Sequence, residues 1–415
     1  MDIWMSLLIV LVVVTFKYLL DIPTADEFPY KVIYRLIYLY GVISYTMARL
    51  IEYTSGESFA VCYRKFLMFF VPNPKTPVKL NVRVEIAYFK GVKARLYRNK
   101  CVPKGFKTPA FIFIHGGGYV TGSPDVYDGL LQKLCHDLGF FIAAPFYTLA
   151  PEGKFPAAFD ECLSLCKCLS EISEEFSIDK DRIVISGDSA GGQIAASVVQ
   201  ALCKDLTTPN PKAKVLMYPC TQFLDMRTPS YRKTQWLHGE RAGILNHITM
   251  SIFLSFYLFS REDDSFVTIV HGNKHVPKEL NDTYSRLMKR LNHKKIPDEL
   301  KNPYFYREVE EKDYDSPLAQ GALPLDHQEI LFDYRLCPIL GELEGLPLTY
   351  VITCGVDVLR DDGILYCKNL EEANVRVVHK HYEKAFHGEI TFPRRVIPSA
   401  GEMRDDLFAF LRENI

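Results

Sequence analysis

A chain of 415 residues, 48% apolar and 24% charged, has the balance of a folded protein rather than a disordered one, with ample length for one large core or about two to three small ones. Its 49 lysines and arginines offset 50 acids to a net charge of −1, so neither a basic nucleic-acid footprint nor an acidic tail is present. Eleven cysteines, an odd and scattered set, lack paired metal-type spacing and do not form a disulfide framework, although one or two bridges stay open in an oxidising compartment.

Ile3 to Phe16 is apolar except for Ser6 and Thr15; Lys17 interrupts, and Tyr18 to Leu20 extends the run. About 18 apolar residues reach the minimum for a bilayer span, and a lysine near the end can snorkel to the interface. The following Asp21-Ile22-Pro23-Thr24 offers no small-x-small cleavage site, so residues 1–20 read as an uncleaved signal anchor. A buried amino-terminal helix is the other reading. Flanking charges nearly cancel and leave the orientation open. In residues 21–77, Tyr30 to Phe70 reads as two amphipathic helices, broken at Ser55-Gly56-Glu57 and ended by Pro72-Asn73-Pro74.

From residue 78 the pattern turns to strand. Val82, Val84 and Ile86 alternate with polar neighbours, Gly91 marks a turn, and a second strand passes through Ala94 and Leu96 as its antiparallel partner. Ala110 to Ile114 is continuously apolar, as befits a strand buried on both faces. Helix and strand then alternate: helix 127–138, strand 140–145, helix 157–173, strand 182–186, a helix to about Cys203, and strand 214–218. Cys162, Cys166 and Cys168 fall within one of these helices and read as packing residues. Such alternation implies a doubly wound, mostly parallel α/β sheet with helices on both faces. The rhythm fails over 221–346, too long for a loop and therefore an inserted subdomain. It resumes over 347–415 with strand 348–353, helix 364–373, strand 375–382 and helix 401–413.

The chemistry gathers where strands end. Ile183 to Gly192 reads Ile-Val-Ile-Ser-Gly-Asp-Ser-Ala-Gly-Gly, a strand entering a Gly-x-Ser-x-Gly turn before a small-residue helix. A serine at such a turn is strained and projects above the sheet, and Gly187 and Gly191 flank Ser189 where a Cβ would collide with neighbouring backbone. His115-Gly116-Gly117-Gly118 ends the first buried strand, and successive glycines let backbone N–H groups converge on one point. A phosphate loop is disfavoured, since neither Gly-Lys-Ser/Thr nor Gly-x-Gly-x-x-Gly opens a helix there. Asp357 follows the strand ending at Thr353, whereas Asp361 and Asp362 fall at the next helix start, where the dipole favours carboxylates as caps. His387 lies in a loop beside Gly388; His379 and His381 fall within the preceding strand as structural residues. Ser, Asp, His is the chain order of an α/β-hydrolase. Ser189 is thus the candidate nucleophile, His387 the base and Asp357 the orienting acid, with Gly117, Gly118 and Ala190 as oxyanion donors and His115, Gly116 and Asp188 in support.

Five stretches together resemble the hormone-sensitive-lipase group of α/β-hydrolases, and within it the arylacetamide deacetylase-like proteins: His115–Gly118, Tyr147–Glu152, Gly187–Gly192, Asp357–Asp362 and Phe386–Gly388. The resemblance runs from about Val78 to the carboxyl terminus, and the amino-terminal anchor fits it too. It implies a cofactor-free, metal-free serine hydrolase. The helices of residues 21–77 and the insertion would form a helical cap, and the substrates would be esters, arylamides or neutral lipids. It also implies a single-pass type II protein of the endoplasmic reticulum membrane with a luminal catalytic body, where Asn281 of Asn-Asp-Thr would be open to glycosylation. Two positions depart from the family pattern: Thr148 stands where arginine is usual, and Tyr119 where Trp or Phe is. The competing reading is a non-catalytic hydrolase fold used for ligand or protein binding, which ordinarily lacks one of the three triad side chains; all are present. For Ile252 to Phe259, lining an acyl pocket, docking on a membrane and ordinary packing are all open.

Overall fold

A computed structural model describes residues 30–69, 80–103, 105–238, 245–276, 282–302 and 329–415. The expected anchor, residues 1–20, and Asn281 lie outside these residues. Among the described residues no helix is long and apolar enough to cross a membrane.

The centre is one eight-stranded sheet of β1 Val82–Phe89, β2 Val92–Asn99, β3 Thr108–Ile114, β4 Phe141–Pro145, β5 Ile178–Asp188, β6 Ala213–Met217, β7 Leu348–Val356 and β8 Val377–Phe386. The spatial order is β1-β2-β4-β3-β5-β6-β7-β8. The first two strands form the antiparallel pair read from the alternation, turning through Lys90 and Gly91, both at positive φ. β2 meets β4 antiparallel, and every later pairing is parallel. The centre of the sheet is covered on both faces, which is why β3, β4 and β6 are buried at every position.

Two amino-terminal helices come first, α1 Lys31–Ser55 and α2 Phe59–Phe69, with Gly56 in the left-handed region as the break. The sheet is then flanked by α3 Asp128–Leu138, α4 Ala157–Glu171 and α5 Ser189–Lys204. α6 Pro229–His238, α7 His247–Phe259 and α8 Asp264–His271 belong to the segment without rhythm, and α9 Arg360–Glu372 and α10 Pro398–Asn414 close the chain. One core joins the sheet to α4, α5 and α9 through Cys162, Ile194 and Leu365. A second, on the other face, joins it to α3 and α10 through Leu134 and Leu407. The cysteines of α4 are indeed core residues, and all eleven cysteines are free thiols.

Of the boundaries that differ from the sequence reading, two bear on the site. α9 begins at Arg360 rather than 364, so Asp361 and Asp362 lie inside its first turn, fully buried. They are not caps: Asp361 pairs with Arg360 at 2.7 Å and accepts the Ser230 N–H at 2.6 Å, while Asp362 accepts from the Gln222 side chain at 2.9 Å. Both carboxyl groups therefore hold the start of the 221–346 segment against the sheet. β8 runs to Phe386 instead of stopping at Tyr382, which brings His387 to the end of the strand.

α1 and α7 lie over the carboxyl ends of the parallel strands. The inner face of α1 packs Tyr34 and Tyr38 against Val356 and Phe386, at the ends of β7 and β8. Farther along, Ala48 joins Phe59 of α2 and Ile252, Phe253 and Phe256 of α7 in one buried cluster. The apolar run of α7 is thus packed on most sides, and a capping box between Asn246 and Thr249 fixes its start. Arg64 of α2 reaches Glu152 at 2.8 Å and the Ala150 carbonyl at 3.0 Å, tying the amino-terminal helices to the loop after β4.

Candidate active site

Parallel register places the ends of β3 and β5 side by side, with Ile114 opposite Gly187. The chain leaves β5 through Ser189 at φ +53°, a strained conformation for a serine, and enters α5 at once. The close approach expected at the flanking glycines is there: a Cβ on Gly191 would lie 2.2 Å from the Ile114 carbonyl oxygen. The turn holds Ser189 almost buried, at 7% exposure, with its hydroxyl toward the end of β8.

There the His387 Nε2 lies 2.8 Å from Ser189 Oγ, and its Nδ1 lies 2.8 Å from Asp357 Oδ2. A carboxylate can only accept, so Nδ1 carries the proton and Nε2 is left to receive the Ser189 O–H. Asp357 is itself held, its Oδ1 accepting the Leu359 N–H at 2.9 Å. The edge of the Tyr218 ring packs on the imidazole, centroids 4.8 Å apart. Three side chains far apart in the sequence thus form one hydrogen-bonded line. His379 and His381 are elsewhere, both on the Thr353 hydroxyl, at 2.8 and 2.9 Å.

The glycine loop after β3 is fixed rather than flexible. The Gly116 N–H donates to Asp188 Oδ1 at 2.7 Å, and the Tyr127 hydroxyl donates to Asp188 Oδ2 at the same distance. His115 stacks on Tyr147, centroids 4.3 Å apart, and burial pushes its imidazole down to about 4, so it is neutral at pH 7. The Tyr147 hydroxyl donates to the His115 carbonyl at 2.8 Å. Gly117 and Gly118 both take positive φ, and a Cβ on Gly118 would strike the Phe253 ring at 2.2 Å. Tyr119 continues the left-handed run and lies flat on Tyr257 of α7, centroids 3.8 Å apart and planes within 2°. Its hydroxyl donates to Gln193 at 2.9 Å. Of the two departures from the family pattern, Tyr119 therefore acquires a partner in α7. Thr148 donates both its N–H, at 2.7 Å, and its hydroxyl, at 2.6 Å, to Glu161.

Gly118, Ser189 and Ala190 line one small apolar pocket with Met250, Phe253 and Leu254 of α7. Its volume is about 10 Å³, space for roughly one water. A much larger open cleft of about 1410 Å³ lies between α4, the end of α5 and Arg290, and contains no residue of the hydrogen-bonded line. Among the described residues no cluster of three metal-type ligands occurs. Sequence reasoning missed Tyr127 and Tyr218, neither of which stands in a recognisable motif. Tyr147 enters it only as the start of the Tyr147–Glu152 stretch, and of the readings left open for Ile252 to Phe259 the structure shows both core packing and, at Phe253, pocket lining.

A family model described as the alpha/beta hydrolase fold matches residues 111–284 and 308–391. Arylacetamide deacetylase of Rattus norvegicus is 34% identical over 405 residues, covering 93% of this chain and 94% of that protein. Neutral cholesterol ester hydrolase 1 of Bos taurus is 33% identical, covering 75% of this chain and 74% of its own. Among solved structures, a hyperthermophilic esterase from Pyrobaculum calidifontis superposes with a TM-score of 0.59 at 22% identity, covering 92% and 93% of the two chains. That last likeness speaks for the fold.

Burial raises the Asp188 carboxyl from 3.8 to about 6, against the pull of Tyr127 and the Gly116 N–H. Between these values the folded chain holds more protons at this site than the unfolded chain, so this contribution to stability is full below about pH 4 and is lost as pH rises through 6. Relative to Asp188→Asn, the native protein should lose roughly 2–3 kcal/mol of unfolding free energy from pH 4 to pH 7. Denaturant titrations of both proteins across that range check this; parallel curves would refute it.

Proposed function

The chain belongs to the arylacetamide deacetylase-like branch of the α/β-hydrolases, a family of serine ester hydrolases, and we propose that it cleaves carboxylic esters or arylamides through Ser189, His387 and Asp357. His387 Nε2 takes the Ser189 proton as Oγ attacks the carbonyl carbon, and Asp357 stabilises the imidazolium that forms. The negative charge on the former carbonyl oxygen is received by the backbone N–H groups of Gly117, Gly118 and Ala190. The tetrahedral intermediate collapses with breakage of the bond to the leaving alcohol or amine, which takes the proton from His387. Water, activated by the same imidazole, then releases the acid from Ser189. The observation that carries this reading is the unbroken line Ser189 Oγ, His387, Asp357 with both contacts at 2.8 Å. It also weighs against a non-catalytic binding module, which has no use for an oriented imidazole on a strained serine. Ser189→Ala should abolish labelling by a fluorophosphonate probe and lower ester turnover at least about 10⁴-fold, with a loss of similar order for Asp357→Asn. Full turnover by Ser189→Ala would end the proposal.

The pocket beside Ser189 supports a small acyl group: it is apolar, walled by Phe253 and Met250, and has room for little beyond a methyl group. On p-nitrophenyl esters, kcat/KM should be highest for acetate and fall by at least about tenfold by octanoate, the size of penalty a filled apolar pocket imposes. Phe253→Ala should flatten that profile; a native preference for octanoate would contradict the assignment.

For its cellular setting, the apolar run of residues 3–20 supports a signal anchor, and membership of the arylacetamide deacetylase-like branch supports a catalytic body on the luminal side of the endoplasmic reticulum membrane. The protein should then stay in microsomal membranes through an alkaline carbonate wash, and Asn281 should carry an endoglycosidase-sensitive glycan. Release by the wash would exclude the anchor, and an unglycosylated, protease-accessible body would exclude the luminal placement.

A further inference from the structure

The outward face of α1 is built for apolar surroundings. Val32, Leu36, Ile43, Leu50 and Tyr53 are all exposed, between 48% and 89%. At 100° per residue these five fall on one stripe with Leu39, Thr46 and Met47, and the one charged residue on it is Arg35, at its edge in line with Tyr53. Within the 25 residues of α1 the stripe from Val32 to Tyr53 runs about 32 Å. The helix's four charges, Lys31, Arg35, Arg49 and Glu52, stand off the stripe's midline. A solvent-facing helix surface would carry them there. Leucine, isoleucine and valine in their place mark an interaction surface.

We propose that this face lies in the surface of a lipid bilayer, with α1 parallel to the membrane. The inference builds on the anchor proposed above. The apolar run ends at Leu20, ten residues before α1 begins, and such a linker reaches at most about 35 Å. The anchor therefore keeps the stripe near the membrane it enters. Tyr53, the most exposed of the five, sits at the end of the stripe, as interfacial aromatics do. The opposite face of α1 fixes what this achieves. Tyr34 meets the ring of Phe386, the residue before His387, at 6.1 Å between centroids, and packs beside Val356, the residue before Asp357. One helix diameter, about 10 Å, then separates the bilayer surface from the strand ends that carry the acid and the base. Esters dissolved in the membrane, rather than esters drawn from water, are the substrates this placement serves.

The test uses the full chain in phosphatidylcholine vesicles, with the photoreactive p-benzoylphenylalanine placed at position 43 or 50. Position 206 is the control, since Leu206 is 98% exposed at the far end of α5. Lipid adducts at 43 and 50 should exceed those at 206 by at least about tenfold, the contrast expected between a face in lipid and one in water. Equal adducts at all three positions, in a protein that still floats with the vesicles and resists carbonate, would overturn the face while sparing the anchor. Adducts mainly to a second protein chain would overturn it in favour of a dimer. As a second measurement, Leu36→Glu combined with Ile43→Glu should slow hydrolysis of a vesicle-borne ester about tenfold while p-nitrophenyl acetate in solution keeps its rate. Undiminished hydrolysis of the vesicle-borne ester would also overturn the proposal.

Discussion

The separation of two strand ends governs the whole site. β3 and β5 run in parallel register, Ile114 beside Gly187, and the Asp188 carboxylate closes the gap by accepting the Gly116 N–H. That one bond ties the glycine loop to the residue before Ser189. A buried charge-assisted contact of this kind is strong because no water competes for either partner. Its cost is a buried carboxyl, offset by the Tyr127 hydroxyl on the second oxygen. If this bond shifts, the glycine loop and Ser189 lose their common reference.

Much of this arrangement was legible in the chain because it is local. Strand followed by Gly-x-Ser-x-Gly, strand followed by three glycines, and strand followed by Asp or by His-Gly each fit within about ten residues, the scale on which backbone sterics and periodicity act. The alternation of helix and strand then implies a parallel sheet, and a parallel sheet brings its strand ends to one edge. What could not be read depends on contacts between distant segments. Tyr127 and Asp188 are 61 residues apart, and nothing around Tyr127 announces a carboxylate partner. Phe253 and Tyr257 sit in a run apolar on every side, where periodicity names no face, so one helix could fill a core or wall a pocket. It does both. The acids of α9 show the converse. The dipole argument made Asp361 and Asp362 caps before the helix, but they lie inside its first turn, and their partners, Arg360, Ser230 and Gln222, are set by tertiary packing.

α1 is the clearest case of a pattern read correctly and understood only in three dimensions. Tyrosines and aliphatic residues recur around it so densely that an inner and an outer face look alike in sequence. The fold separates them. Tyr34, Tyr38 and Ala48 are buried against strand ends and α7, and Val32, Leu36, Ile43 and Leu50 are left outside. A helix with two apolar faces can join two apolar phases, a protein core on one side and, as proposed above, a lipid surface on the other.

The stack of Tyr119 on Tyr257 carries a last consequence. Tyr257 belongs to α7, the same helix whose Phe253 and Met250 wall the pocket beside Ser189. One helix thus sets both the width of the pocket and the seat of the residue that follows the glycine loop. A change on α7 that widens the pocket also bears on the support beneath Tyr119, so pocket size and loop position are not independent variables in this fold.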